Sequence, residues 1–506
     1  MKESVKEEKS IIFRALSLVE RVGNKMPDPL SLFFIFCLIV LILSAVISGL
    51  GVTAIHPRDG SEVRAVNMLS VNGLRDYISS IVSYFQGFPP LALVLVVILG
   101  VGVAEKSGLI ETALRASVTN LPKGLITVII IFLGILSNTA GDSGFIVLPP
   151  LAAIVFMSVG RHPLIGLFAA YASVAAGFAA NVIINLSDVL AASFTIPAAQ
   201  MIDPSFTASP AMNYWFLLAS SGVLVITGWF VTEKIVAPRF EGVDYIKNEE
   251  NSSVVEVSAQ EKKALRFAGI SFLITCIIIV ILCLGETPFL ADPQTNSLIS
   301  VNAPLMRAII PIVTVLFLIP GLVYGIAAGT IKKDTDAVRM MGKAMGEMGP
   351  YIVMAFGASQ FLAVFTRSNL GIMLAINGAQ ILTNIGATGI AVMVGFIIFS
   401  SFVNLFIGSA SAKWAILAPI FVPMFMLVGF DPALTQIAYR IGDSITNPIS
   451  PLFPYFPIIL GYINKYDKNA GIGTIISNML PYSAAFFVVW TILLFVFVIF
   501  GIPLGF

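Results

Sequence analysis

The sequence predicts an all-α polytopic membrane protein with nine transmembrane helices and two re-entrant hairpins, arranged as an inverted repeat. Three observations carry this. First, the 506 residues are 57% hydrophobic and only 11% charged, more apolar surface than a soluble chain with so few charges buries. Second, Lys and Arg gather in alternate loops, which orients the apolar runs. Third, two apolar stretches stop at half a bilayer's depth on small polar residues, and the same glycine–proline motif follows each. A net charge of only +1, with the charges clustered outside the apolar runs, argues against a nucleic-acid partner. Cys37, Cys276 and Cys283 lie inside apolar runs, with neither disulfide nor metal spacing.

Taken in order, residues 1–29 carry Lys2, Lys6, Lys9, Arg14, Arg21 and Lys25, and are expected in the cytoplasm. The first apolar run, 30–52, is long enough to span and reads as a helix, not as a cleaved signal. Residues 53–87 form an outside loop, against the charge rule only in Arg58, Arg64 and Arg75. Residues 91–103 are the core of a second span, followed by an amphipathic segment ending near Lys123. Two half-length apolar runs, 124–136 and 145–157, flank Ser137-Asn-Thr-Ala-Gly-Asp-Ser-Gly144 as the first hairpin. Residues 164–180 lead outward and break at Asn181-Val-Ile-Ile-Asn-Leu-Ser-Asp188, and 214–231 return. The linker 237–265 is cytoplasmic.

In the remainder, 270–284 goes out, 309–329 comes in and 351–365 goes out. Residues 389–407 and 415–428 flank Gly408-Ser-Ala-Ser-Ala-Lys-Trp414 as the second hairpin. Residues 432–460 run inward with a break near Asn447-Pro448, and 484–500 is the last span. The expected units are therefore the segment 1–29, a first half 30–236 with four spans and hairpin 1, the linker, and 266–506 with the joining helix and second half.

The repeat is visible as Val159-Gly-Arg-His-Pro163 recurring 269 residues later as Val428-Gly-Phe-Asp-Pro432. The same offset pairs Pro150 with Pro419 and Asp142 with Ser411. One helix joins the halves, so they insert with opposite orientation. Inverted repeats with interrupted helices in matching positions mark a secondary transporter whose site lies at the repeat interface.

The polar residues at the interruptions are the candidate site. Ser137, Asn138 and Thr139 offer hydroxyl and amide oxygens at a helix break, suited to a small hard cation such as sodium, or simply capping the break. Asp142 either neutralises that cation or caps a helix. In the second tip, Gly408 and Ser409 join the cation candidates, and Ser411 and Trp414 the substrate candidates. Trp414 either stacks on an aromatic substrate ring or packs. Lys413 is expected to snorkel to solvent rather than attract an anion. Arg440 and Asp443, three apart, share a helix face and are expected to pair, structurally or as a pair that opens for a carboxylate or proton. Asn447 and Pro448 follow on the same broken span. Asn181 and Asp188 are the matching positions of the first half; Asp188 is either a proton acceptor or a group at the outer interface. Gly-Asp-Ser at 141–143 and 442–444 raises an intramembrane aspartyl protease, but the required first glycine is Thr139 or Arg440. With only His56 and His162 present, neither a histidine metal site nor a triad is expected. A passive channel is the other alternative.

Ser137-Asn-Thr-Ala-Gly-Asp-Ser-Gly144, the stretch from Asn181 to Asp188, Ser409-Ala-Ser-Ala-Lys-Trp-Ala415 and Tyr439-Arg-Ile-Gly-Asp-Ser-Ile-Thr-Asn-Pro448 together resemble the p-aminobenzoyl-glutamate (AbgT) transporter family. The resemblance spans nearly the whole chain. It implies an ion-transporter-superfamily fold, a bowl-shaped homodimer in the inner membrane, and movement of p-aminobenzoyl-glutamate, a folate breakdown product. Some family members are described as sulfonamide exporters driven by an ion gradient. It implies functional roles at Asp188, Ser411, Trp414, Pro432, Arg440, Asp443 and Pro451. No cofactor is expected beyond a coupling H+ or Na+. The related sodium-coupled dicarboxylate carriers have Ser-Asn-Thr at both tips, and here only the first tip has it.

Overall fold

The structure, a computed structural model, describes residues 27–55, 60–118, 122, 124–140, 143–246, 257–298, 300, 302–386 and 389–506. Apolar runs ended by turn and cap residues become helices throughout. α1 (Pro29–Gly49) starts at Asp28, whose side chain accepts from the Leu30 amide at 2.9 Å, with Pro29 in the first turn. A two-stranded ribbon, β1 (Thr53–Ile55) and β2 (Glu62–Arg64), and α2 (Val71–Gln86) follow. Next come α3 (Pro89–Lys106), α4 (Leu109–Val118), α5 (Ile126–Ser137), α6 (Ser143–Ser158) and α7 (Pro163–Ala175). α8 (Leu186–Gln200), α9 (Tyr214–Val231), α10 (Ala259–Leu282), α11 (Ile309–Ala328) and α12 (Asp334–Glu347) continue the chain. The last seven are α13 (Gly349–Arg367), α14 (Leu370–Asn384), α15 (Ile390–Asn404), α16 (Ala410–Leu427), α17 (Pro432–Thr446), α18 (Phe456–Ile463) and α19 (Ile472–Ile499).

Among the described residues, eight helices are long and apolar enough to cross a bilayer, with α2 and α3 counted as one run. The chain is a helical, polytopic membrane protein. Seven of the eight fall on expected spans; the eighth, α16, falls on the second arm of the expected second hairpin. The two spans expected to be broken are short helices of 13 and 15 residues, α7 and α17.

Three stretches differ from expectation. Residues 53–87 are not a plain loop but hold the ribbon and α2. α14 was not foreseen: its 15 residues carry Asn377, Gln380 and Asn384 and no charged end to mark it. α10 begins inside the expected linker, because Ser258 and Glu261 form a capping box there. The segment 1–26 and linker residues 247–256 lie outside the described residues.

The repeated Val-Gly-x-x-Pro motif has one physical meaning in both places. Gly160 (φ 79°) and Gly429 (φ 95°) take the left-handed conformation that ends the preceding helix. The next amides bond back alike, Arg161 to the Phe156 carbonyl and Phe430 to the Phe425 carbonyl, both at 2.9 Å. His162 and Asp431 then cap the next helix by accepting from the Leu164 and Ala433 amides, and Pro163 and Pro432 open it.

α5 and α6 both pack on α7, α15 packs on α17, and α16 crosses to α8. The closest approaches use glycine, as membrane helix pairs do. A Cβ at Gly134 in α5 would collide with the Ser173 hydroxyl in α7, and one at Gly442 in α17 with the Ile397 carbonyl in α15. After α7 and after α17 the backbone leaves the helix, and these two breaks meet. Asn447 donates to the Ala175 carbonyl at 3.2 Å, and the Ala179 amide to the Ser444 hydroxyl at 3.1 Å. Irregular backbone at this depth is tolerated because each break satisfies the other.

Candidate functional site

Asn185 starts α8, and its side-chain oxygen accepts from the amides of Ser187 and Asp188. Asp188 closes the capping box by accepting from the Asn185 amide at 2.8 Å through Oδ2, which also takes a 2.6 Å bond from Asn181 Nδ2. Its other oxygen, Oδ1, faces Arg440 Nη1 at 2.6 Å. Asp188 is 2% exposed, with both carboxylate oxygens engaged. Arg440 also donates to the Ser187 hydroxyl at 3.2 Å.

The expected Arg440–Asp443 pair does not form. Arg440 reaches Asp188 on α8, while Asp443 pairs with Lys413. Sharing a helix face puts two Cβ atoms near each other; it does not decide which charges the facing helices supply. Lys413 does not snorkel. Its side chain is fully buried, with its ammonium held by the Asp443 carboxylate and the Asn404 amide oxygen. Two buried ion pairs thus bind three elements together: α8 to α17, and α17 to α16. Removing one partner of such a pair costs about 3–5 kcal/mol.

Beside these pairs lies a cavity of about 340 Å3. Its charged wall is Arg440 and Asp443, with Ser409, Ser411 and Asn447 beside them, and Gly408 lets the backbone approach there. Its apolar walls include Phe145, Phe194, Trp414, Tyr439 and Tyr455. Trp414 is locked: its indole N–H donates to Thr195 Oγ1 at 2.9 Å and to the Ala191 carbonyl at 3.1 Å. Tyr439 stacks on it at 4.4 Å between centroids, leaving only the remaining ring surface to the cavity. Phe145 and Tyr455 stack parallel at 4.2 Å. A cavity with rings on one side and a guanidinium on the other can hold an aromatic anion: the rings take the apolar body, and the planar fork takes a carboxylate.

Of the other sequence candidates, Asn181 and Asp188 stand behind Arg440, and Pro448 sits buried in the turn after α17. Ser137, Asn138 and Thr139 lie across the break. Asn138 donates to the Gly177 carbonyl at 3.4 Å and its own carbonyl accepts from Asn185. Asn138 Oδ1 and Thr139 Oγ1 are buried without a partner among the described residues. Two buried acceptors left open beside a helix break form a donor set that a hard cation fits. Asp142 lies outside the described residues. Sequence reasoning missed Asn404, Thr195 and the stacking partner Tyr439. The repeat gives no signal for Asn404, since its offset of 269 sets Ile135 against it.

Apolar spans, paired breaks and a charged, ring-lined cavity between them define a membrane transporter. The chain belongs to the AbgT putative transporter family, whose match covers residues 14–506. It is 37% identical over 487 residues to the p-aminobenzoyl-glutamate transport protein of Escherichia coli (strain K12), covering 96% of this chain and 95% of that one. Among solved structures, the YdaH transporter of Alcanivorax borkumensis matches with a TM-score of 0.91 and 38% identity, covering 95% of this chain and 100% of that one. MtrF of Neisseria gonorrhoeae, described within a class of antimetabolite efflux pumps, matches with a TM-score of 0.90 and 41% identity, covering 95% of this chain and 97% of that one.

Proposed function

We propose that the protein is a secondary active transporter of p-aminobenzoyl-glutamate or related aromatic anions, driven by a proton or sodium gradient across the inner membrane. The observation that carries this is the Arg440 guanidinium beside a ring-lined cavity. The substrate's ring meets Trp414 and Phe194, and a carboxylate competes with Asp188 for Arg440. Nine spans and two re-entrant hairpins, α5–α6 and α15–α16, form two inverted halves, 30–236 and 266–506, joined by α10. The protein acts as a homodimer. Ser137, Asn138 and Thr139 form the sodium cradle if sodium is the coupling ion. The likeness to MtrF favours a second reading, export of sulfonamide-type antimetabolites through the same cavity.

Proteoliposomes separate these. Labelled p-aminobenzoyl-glutamate is expected to accumulate beyond equilibrium under an imposed gradient and to leak back when the gradient is collapsed. Accumulation of the sulfonamide alone would select the efflux reading, and flux that never exceeds its own gradient would leave a passive channel. Omitting sodium at fixed pH decides the ion. Asp443→Asn imitates a protonated carboxylate, so it is expected to keep equilibrium binding within about tenfold while losing gradient-driven accumulation. If this variant accumulates substrate as the parent does, Asp443 is not a coupling residue.

For topology, single cysteines at positions 245 and 295, after replacing Cys37, Cys276 and Cys283, are expected to react with an impermeant thiol reagent from opposite faces. Reaction of both from one face would rule the arrangement out.

A further inference from the structure

The ring wall of the cavity rests on a polar cluster that the cavity does not touch. Thr195 on α8 and Gln436 on α17 are 0% and 1% exposed, and neither lines the cavity. The Thr195 hydroxyl oxygen accepts the Trp414 indole N–H at 2.9 Å, and the hydroxyl donates to the Ala191 carbonyl at 2.8 Å. The Gln436 side-chain amide bonds the same hydroxyl oxygen at 2.8 Å and, at its other end, the buried side-chain amide of Asn213. Three helices, α8, α16 and α17, and the residue that precedes α9 therefore meet at one hydroxyl.

The indole N–H has a second acceptor within reach, the Ala191 carbonyl at 3.1 Å. That oxygen is already committed. Inside α8 it accepts the amide four residues on, and the Thr195 hydroxyl besides. A carbonyl oxygen has two lone pairs, so the Thr195 oxygen is the acceptor that fixes the indole. The other ring of the stack is anchored elsewhere: Tyr439 donates its hydroxyl to the Ala410 carbonyl, at the start of α16, at 2.6 Å. The Trp414–Tyr439 plate is held at two points, and the angle of the indole toward the cavity depends on Thr195.

We infer that Thr195 is a positioning residue for ring recognition: through the indole N–H it sets the angle at which Trp414 meets the aromatic body of the substrate, and Gln436 holds the hydroxyl in turn. This rests on the proposed aromatic-anion reading. Contacts between rings depend on their offset and tilt, and a ring locked before binding has no freedom left to lose when the substrate arrives. Without the Thr195 oxygen, the Ala191 carbonyl sheds one donor and becomes the indole's remaining acceptor. The ring then turns toward the α8 backbone with its N–H still satisfied, so the fold persists and the alignment is lost.

The test is a pair of variants read in two ways. Thr195→Val keeps the shape and removes the oxygen; Thr195→Ser keeps the oxygen. In purified protein labelled with 5-fluorotryptophan, fluorine NMR reports the four tryptophans, Trp215, Trp229, Trp414 and Trp490, and Trp414→Phe assigns the Trp414 signal. That signal is expected to shift or broaden in Thr195→Val and to stay in place in Thr195→Ser. In proteoliposomes, Thr195→Val is expected to raise the KM for p-aminobenzoyl-glutamate about five- to tenfold, the worth of an aromatic contact, with the maximal rate kept within about twofold. Thr195→Ser is expected to match the parent. If Thr195→Val does not fold because the Gln436 amide loses its partner, Thr195→Val combined with Gln436→Leu removes both polar groups and is expected to show the same changes. A valine variant with the parental signal or the parental KM would overturn the inference. So would a serine variant that behaves as the valine one does, since position 195 would then act through packing. A parent that moves no p-aminobenzoyl-glutamate overturns the proposed function instead, and the fluorine signal then decides the Thr195–Trp414 link by itself.

Discussion

Arg440→Ala is expected to lose substrate binding by about 10- to 100-fold, the worth of a charge-assisted hydrogen bond. It is expected also to destabilise the protein, since Asp188 then stays buried without its 2.6 Å partner, a loss of about 3–5 kcal/mol. The two effects need separating. Combining Arg440→Ala with Asp188→Asn removes both charges, so the thermal midpoint should recover while binding does not. Arg440→Lys keeps the charge but loses the planar fork, and should bind between the two. Radioligand binding to detergent-purified protein, read beside the thermal midpoint, checks all three. A neutral double variant that binds as the parent does would remove Arg440 from the substrate site.

Gly442→Val is expected to prevent stable folding. The added side chain would meet the Ile397 carbonyl and Ser400 of α15, and neither can move without separating α15 from α17. Overpacking of this kind costs about 1–3 kcal/mol or more, and a β-branched side chain gives least. Because Gly442 lies between Arg440 and Asp443, any structure that did form would also have both ion pairs displaced. Gly269→Ala on α10 is the control: a Cβ there meets nothing within 4 Å, and the substitution should be neutral within about 0.5 kcal/mol. Yield of monodisperse protein and its thermal midpoint report both.

Much of the fold was legible because bilayer crossing leaves a length-coded apolar signal. Breaks were legible for the same reason: Ser137-Asn-Thr139 and Asn447-Pro448 interrupt apolar runs where a continuous helix would need no polar residue. The motif Val-Gly-x-x-Pro was readable as chain punctuation, since a left-handed glycine, a capping residue and a proline act locally. α2 and α14 were not legible. α2 is amphipathic, and none of its residues is fully buried. α14 is too short to span and too polar to stand out, and it is helical because it packs on α16.

The sequence by itself determined the class, the positions of the interruptions and which polar residues lie at them. That follows because a membrane penalises every unpaired polar group, so each one in an apolar run is already informative. What the tertiary structure alone decided is the partnership of the charges. Arg440 and Asp443 invite pairing by their spacing, yet each is claimed from outside its helix, by Asp188 and by Lys413. The physical reason is that a buried charge must be matched from whichever element faces it, and facing elements are set by packing across 252 residues for Arg440 and Asp188, a separation that no local pattern encodes.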